Sequence, residues 1–157
     1  PDILILGKAL SGGVLPVSAV LANDEIMLAI KPGEHGSTFG GNPLACAVAT
    51  AALKVVQDEG LIVRAERLGE IFRERMRAID SDLITAVRGK GLLNAIDLTP
   101  YAPGKTGWDV CLKLRDNGLL AKQTHDHTIR FAPPLVITEE QIMECVEIIT
   151  RTIKSFE

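Results

Sequence analysis

The sequence of 157 residues has few aromatic side chains, few cysteines, no excess of positive charge and no long apolar run. Its 17 basic and 20 acidic side chains give a formal charge of −3, which argues against a nucleic-acid-binding surface or a membrane-surface patch. No apolar run reaches the roughly 18 residues that a membrane-spanning helix needs. Cys46, Cys111 and Cys145 lack metal-ligand spacing. We therefore expect buried free thiols, no metal site and a reducing compartment.

The sequence does contain enough apolar material for a core, because 46% of its residues are hydrophobic and 24% are charged. The chain starts at Pro1 rather than Met, and an apolar run begins at Ile3 with almost no lead-in. This abrupt start predicts a piece of a longer protein.

Apolar periodicity predicts strands at residues 3–6, 17–22, 84–87, 92–98 and 128–136, the first buried on both faces. It predicts helices at residues 43–60, 62–79 and 108–117 and a last one that begins after Thr138, with Asn42-Pro43 and Thr138/Gln141 as start signals. Residues 100–107 are rich in turn formers. The order of elements predicts a strand-and-loop region at 1–48 and a separate α+β unit at 49–157.

Lys8 lies at the end of the first predicted strand, between Leu6 and Leu10 and next to the small residues at 11–13. Desolvation there would disfavour the charged form of the amine, and a neutral lysine is a nucleophile toward carbonyl groups. Small neighbours let a bulky group approach the backbone. A lysine that extends to the surface from a strand end is the alternative.

Two hydroxyls, those of Ser37 and Thr38, stand in a glycine-dense loop just before the helix that starts at Asn42. Hydroxyl groups and backbone amides before a helix N-terminus suit a phosphate. An ordinary flexible loop with a helix cap is the alternative.

Arg130 lies in a predicted strand in which Ile129 and Phe131 point to one face and Arg130 to the other. An arginine among apolar residues needs a carboxylate partner, which is either a structural ion pair or a ligand. Arg88 and Lys90 stand beside glycines, which predicts a tight bend with exposed charges.

Six strings carry a family resemblance over nearly the whole chain: LGKALSGG (6–13), PVSAVLA (16–22), IKPGEHGSTFGGNPLA (30–45), VRGKGLLNAI (87–96), LRDNGLLAK (114–122) and IRFAPPLVIT (129–138). In their order and content they resemble the class III, pyridoxal-phosphate-dependent aminotransferases of fold type I. The strings at 6–13, 87–96 and 114–122 are more similar to the ornithine-specific branch of that family than to its other branches.

The resemblance implies an α/β fold, namely the end of the large-domain sheet followed by an α+β small domain, at the C-terminal part of a fold type I transferase. It implies that Lys8 forms the Schiff base with pyridoxal 5′-phosphate. It further implies that Ser37 and Thr38 donate to the cofactor phosphate of the neighbouring subunit, which requires a homodimer. Arg130 is expected to face the substrate, where a glutamate of the large domain holds it until it binds a carboxylate of 2-oxoglutarate.

The reaction so implied is ping-pong: L-ornithine and 2-oxoglutarate give L-glutamate 5-semialdehyde and L-glutamate. Alternatives are a class III enzyme for N-acetylornithine or 4-aminobutyrate, an aminomutase of the same fold, and a non-enzymatic phosphate-binding module. The expected compartment is the mitochondrial matrix, with the cytoplasm as the alternative. Because the family's N-terminal segment is absent from these 157 residues, we expect an incomplete site that does not transaminate alone.

Overall fold

The computed structural model describes residues 1–100 and 106–157, so most of the predicted turn-rich segment at 100–107 lies outside the described residues. The chain divides into two compact units, Pro1–Gly60 and Leu61–Glu157. The domain boundary predicted at residues 48 and 49 falls inside a helix of the first unit, and the division into domains at that point stays a prediction. Within the described ranges, no helix is long and apolar enough to cross a membrane.

The first unit begins with a two-stranded antiparallel ribbon. Strand β1, Ile3–Leu6, pairs with β2, Ala19–Ala22, so that Ile3 lies opposite Ala22. The predicted strand is confirmed, but its predicted burial on both faces is wrong, because Ile5 is 74% exposed. The physical reason is that, among the described residues, β1 and β2 form a ribbon of two strands and no other element packs extensively on either of its faces.

Two α-helices complete the first unit. The short helix α1, Asp24–Met27, was not predicted; the side chain of Asn23 caps it by accepting a hydrogen bond from the Ile26 amide at 3.0 Å. The long helix α2, Pro43–Asp58, is confirmed with Asn42 as its N-cap.

In its described residues, the second unit has a four-stranded antiparallel sheet and three helices. The strands are β3 (Ile84–Lys90), β4 (Leu93–Leu98), β5 (Lys122–Thr124) and β6 (Thr128–Phe131), in the spatial order β3-β4-β6-β5. The helices are α3 (Leu61–Arg77), α4 (Gly107–Asp116) and α5 (Glu139–Lys154). The predicted strand at 128–136 is too long, since β6 ends before Pro133 and Pro134, which lack the amide donors of a strand ladder. Strand β5 was not predicted.

The core of the second unit lies on one face of the sheet, where Ile96 and Ile129 are fully buried. Helix α5 contributes an apolar stripe to this core, formed by Ile142, Val146, Ile149 and Ile153. Its capping box is confirmed: the Thr138 hydroxyl accepts from the Gln141 amide, and the Gln141 side chain accepts from the Thr138 amide. Because side chains alternate along a strand, the residues between the core positions point to the opposite, open face.

Helix α3 touches the turn between β3 and β4 at Gly69. A Cβ atom on Gly69 would lie 1.8 Å from the carbonyl oxygen of Gly91, so only glycine permits this approach. One turn further, the guanidinium of Arg73 is buried, with 3% of the residue exposed, and it donates to Gly91 O at 3.0 Å and to Asn94 Oδ1 at 2.8 Å. Glu70 balances its charge at 2.7 Å.

The substitution Gly69→Ala tests this contact. Alanine is favoured over glycine by about 1 kcal/mol in an exposed helix. Here we expect instead a loss of about 1–3 kcal/mol in the free energy of unfolding, because the methyl group overlaps the Gly91 carbonyl. Urea unfolding of the chain measures it, with Glu74→Ala at an exposed position of the same helix as the control. Equal stability of the two variants would contradict the close approach.

Candidate functional site

Lys8 starts a 3₁₀ turn, Lys8–Ser11, directly after β1. Its φ angle is 53°, in the left-handed region that an L-residue other than glycine, asparagine or aspartate rarely adopts. Such strain persists where the surroundings fix it, and it is a reason to suspect function. The predicted desolvation is not found, because Lys8 is exposed in its own unit.

The turn that carries Lys8 is anchored by Ser11, which is 1% exposed. The Ser11 hydroxyl accepts a hydrogen bond from the Leu15 amide at 3.1 Å and donates to the Leu15 carbonyl. Next to it, Gly12 has a φ of 68°, which favours glycine, and its Cβ position lies in ordinary contact with the Cβ of Ala52 on α2, at 3.5 Å. The small residues therefore serve to hold this turn against α2.

The loop before α2 is organised by two side chains. The hydroxyl of Ser37 accepts from the Gly40 amide at 3.0 Å and keeps its own proton to donate. Asn42 Oδ1 accepts from the amides of Leu44 at 2.9 Å and Ala45 at 3.2 Å. Two of the helix-terminal donors that favour a phosphate are therefore already used by the N-cap. Thr38 is exposed, and no hydrogen bond joins its side chain to the described residues.

Lys8 and Ser37 line one open cleft of about 770 Å³ in the first unit. Gly40 and Asn42 line the same cleft, whereas Thr38 is not among the lining residues. A volume of this size suits a small organic ligand, for which pockets of about 300–1,000 Å³ are typical. The structure thus brings together an amine, a hydroxyl and the start of α2.

Cys46 is a residue of this cleft that the sequence reasoning missed. It was predicted to be a buried thiol, but it is exposed. The available signal was its spacing of four residues from Asn42, since positions i and i+4 share one face of a helix. The other two cysteines are free as predicted, Cys111 buried and Cys145 half-buried, and burial raises the pKa of both thiols.

Arg130 lies on β6 and points to the open face of the sheet in the second unit, while Ile129 and Phe131 are buried. The predicted alternation is confirmed. The guanidinium is exposed, and among residues 1–100 and 106–157 no hydrogen bond or ion pair engages it. It lines a cleft of about 380 Å³ together with Arg88, Lys90 and His125.

The two other cations of this cleft do have partners. Arg88 forms two hydrogen bonds to Asp97, Nε to Oδ2 at 2.9 Å and Nη2 to Oδ1 at 3.0 Å. Lys90 pairs with Glu66 at 2.9 Å. Both are exposed, as predicted. The hydrogen bonds from Arg88 hold the pKa of the Asp97 carboxyl below its ordinary value, against the opposing effect of partial burial and with a further hydrogen bond from Thr128.

Comparison with known proteins identifies the class. Residues 1–153 match the family described as aminotransferase class-III. The chain therefore belongs to the class III aminotransferases, and the predicted fold class is confirmed as a part of that fold.

Curated relatives in this family include the mitochondrial ornithine aminotransferase of Rattus norvegicus, 61% identical over 156 residues, which cover 99% of this chain and 35% of the relative. The ornithine aminotransferase of Saccharomyces cerevisiae is 57% identical over 157 residues, covering 98% of this chain and 37% of the relative. The chain thus spans about a third of the length of the curated relatives it matches.

Solved structures agree with the fold. An ornithine aminotransferase from Plasmodium yoelii superposes with a TM-score of 0.94 at 54% identity, covering 100% of this chain and 42% of that one. An acetylornithine aminotransferase from Elizabethkingia anophelis gives a TM-score of 0.93 at 66% identity, covering 99% of this chain and 39% of that one.

The substitution Asn42→Ala tests how the N-terminus of α2 is organised. Loss of an N-cap costs about 1 kcal/mol, so we expect the amides of Leu44 and Ala45 to exchange with solvent about fivefold faster. Hydrogen exchange followed by NMR measures this, and Asn42→Asp, which retains a side-chain acceptor, is the control. Unchanged exchange in the alanine variant would show that Asn42 does not occupy these donors.

Proposed function

We propose that the chain is part of an ornithine aminotransferase, which transfers an amino group from L-ornithine to 2-oxoglutarate in a ping-pong reaction. The observation that carries the proposal is the identity of 57–61% to ornithine aminotransferases from yeast and rat along 98–99% of the chain. Lys8, which is exposed in a cleft and has a left-handed backbone conformation, supplies the amine that the reaction needs.

The first unit carries side chains that suit two different parts of pyridoxal 5′-phosphate. Lys8 offers a primary amine for the aldehyde, and no described side chain engages that amine. Ser37 retains a hydroxyl proton and Thr38 adds an exposed hydroxyl, and both suit the phosphate of a cofactor that a second subunit holds. When bound, the cofactor supplies the electron sink for the reaction at the amino-bearing carbon.

The residues of this chain then have three tasks. Lys8 binds the cofactor through its amine and, once released by the incoming substrate amine, carries the proton to and from the reacting carbon. Ser37 and Thr38 orient the phosphate, in our proposal that of a second subunit, so the working protein is a homodimer. Arg130 binds a carboxylate of 2-oxoglutarate through its planar guanidinium.

We place the protein in the mitochondrial matrix. The rat and Drosophila melanogaster relatives carry the word mitochondrial in their names, whereas the yeast relative does not, which keeps the cytoplasm as the alternative.

A second candidate is an acetylornithine aminotransferase. It is favoured by one specific observation, the 66% identity to the structure of that name from Elizabethkingia anophelis. The side-chain amine is the group transferred in both activities, which differ in whether the α-amine of the substrate is charged or acetylated, so direct competition between substrates separates them.

One test of the proposed function concerns Lys8 in the full-length protein with pyridoxal 5′-phosphate. Borohydride reduction followed by mass spectrometry will place the cofactor on the peptide that contains Lys8. The variant Lys8→Ala will lose this label, and its activity will fall by about 10²- to 10⁴-fold. Lys54→Ala, which changes an exposed lysine of α2, is the control and will retain both. If the Lys8→Ala variant still carries the reduced cofactor, Lys8 is not the residue that binds it.

Another test concerns the specificity for the amino-donor substrate. The full-length enzyme will show a higher kcat/KM for L-ornithine than for N-acetyl-L-ornithine or 4-aminobutyrate, and turnover will require 2-oxoglutarate. A preference for N-acetyl-L-ornithine would favour the second candidate. Turnover without 2-oxoglutarate would indicate an aminomutase.

A further inference from the structure

One carboxylate lies at the centre of the open face of the sheet. Asp97 is the only acidic residue in the four strands as the structure bounds them. It belongs to β4, which has β3 on one side and β6 on the other. Its side chain is 26% exposed, so it is accessible to neighbours on both flanking strands.

Two arginines flank this carboxylate in equivalent positions. Arg88 on β3 lies opposite Ala95, and Ala95 lies opposite Arg130 on β6. The residues directly opposite Asp97 are Ala86 and Thr128, each two positions from its arginine. Both arginines are thus diagonal neighbours of Asp97, at about 7–8 Å between Cα atoms, which a long side chain can bridge.

The structure assigns the carboxylate to only one of them. Arg88 binds both Asp97 oxygens, and the Thr128 hydroxyl donates to Oδ1 at 2.6 Å. Arg130 makes no such contact with any residue that the structure describes. Lys122, directly opposite Arg130 on β5, adds a second positive charge beside it.

We propose that Arg88 is a positioning residue that reserves Arg130 for the substrate by occupying Asp97. This inference deepens the role of Arg130 in the proposed function and rests on it. Arg88 and Arg130 compete for the carboxylate of Asp97. An exposed arginine with a carboxylate in diagonal reach pairs with it unless another cation already binds that carboxylate. A dicarboxylate substrate then meets a guanidinium that has no partner within its own sheet.

Without Arg88, Arg130 is the remaining arginine in a diagonal position to Asp97. An internal pair between them would have to break before a carboxylate of 2-oxoglutarate could bind. The expected cost is the strength of an exposed ion pair, which corresponds to about a two- to fivefold change in an equilibrium. Only the affinity for 2-oxoglutarate is expected to fall, because the cationic side chain of ornithine does not bind a guanidinium.

The experiment uses the full-length enzyme and measures KM and kcat for each substrate separately. Arg88→Met is expected to raise the KM for 2-oxoglutarate about two- to fivefold and to leave kcat and the KM for ornithine unchanged. Adding Asp97→Asn to the same chain removes the competing carboxylate and is expected to restore the KM. Lys90→Met removes a positive charge from the same cleft without releasing Asp97, and it is expected to leave both KM values unchanged.

A crystal structure of Arg88→Met provides a readout that does not depend on activity. The inference expects the Arg130 guanidinium within hydrogen-bond distance of Asp97, and an Arg130 that stays away from Asp97 would overturn the inference alone. Failure of the double variant to restore the KM would also overturn it, because the defect would then be structural. If Arg130→Met leaves the KM for 2-oxoglutarate unchanged, the proposed role of Arg130 fails, and this inference fails with it.

Discussion

The second unit depends on the approach of α3 to the turn between β3 and β4. The helix comes so close that Gly69 has no room for a side chain against Gly91, and the buried Arg73 bridges the same turn by donating to the Gly91 carbonyl and to Asn94. A buried cation is tolerated because its guanidinium donates hydrogen bonds on both sides and Glu70 supplies the opposite charge.

This contact also fixes the register of β4. Because side chains alternate with a period of two, a slip by one residue would move Ile96 out of the core and turn Asp97 into it. The placement of Arg88, Asp97 and Arg130 on the open face therefore follows from the same packing that forms the core. The candidate substrate-binding face is thus positioned by a helix that lies on the other side of the sheet.

Local signals in the sequence predicted the local structure well. The Thr138/Gln141 capping box, the Asn42-Pro43 helix start and the alternation around Arg130 all concern neighbours within four residues, where spacing alone decides the geometry. Burial was predicted less well, because it depends on what covers a segment. In the first unit only Ser11 and Ala49 are buried, so β1 and Lys8 are exposed although their sequence is typical of a buried strand. The competition for Asp97 was not predictable either, since it requires the register of three strands.

In the function proposed above, one arginine serves two different half-reactions, and the charge pattern of the open face accounts for this. A guanidinium paired within the sheet would bind a substrate carboxylate about two- to fivefold more weakly, whereas one without any neighbour would repel a cationic substrate throughout the cycle. Arg88 removes the only internal partner on the four strands by binding both oxygens of Asp97. The partner of Arg130 must then come from outside the sheet, either from another part of the protein or from the substrate. Since an exposed pair is worth only about 0–1 kcal/mol, such an exchange of partners costs little and can occur in every turnover.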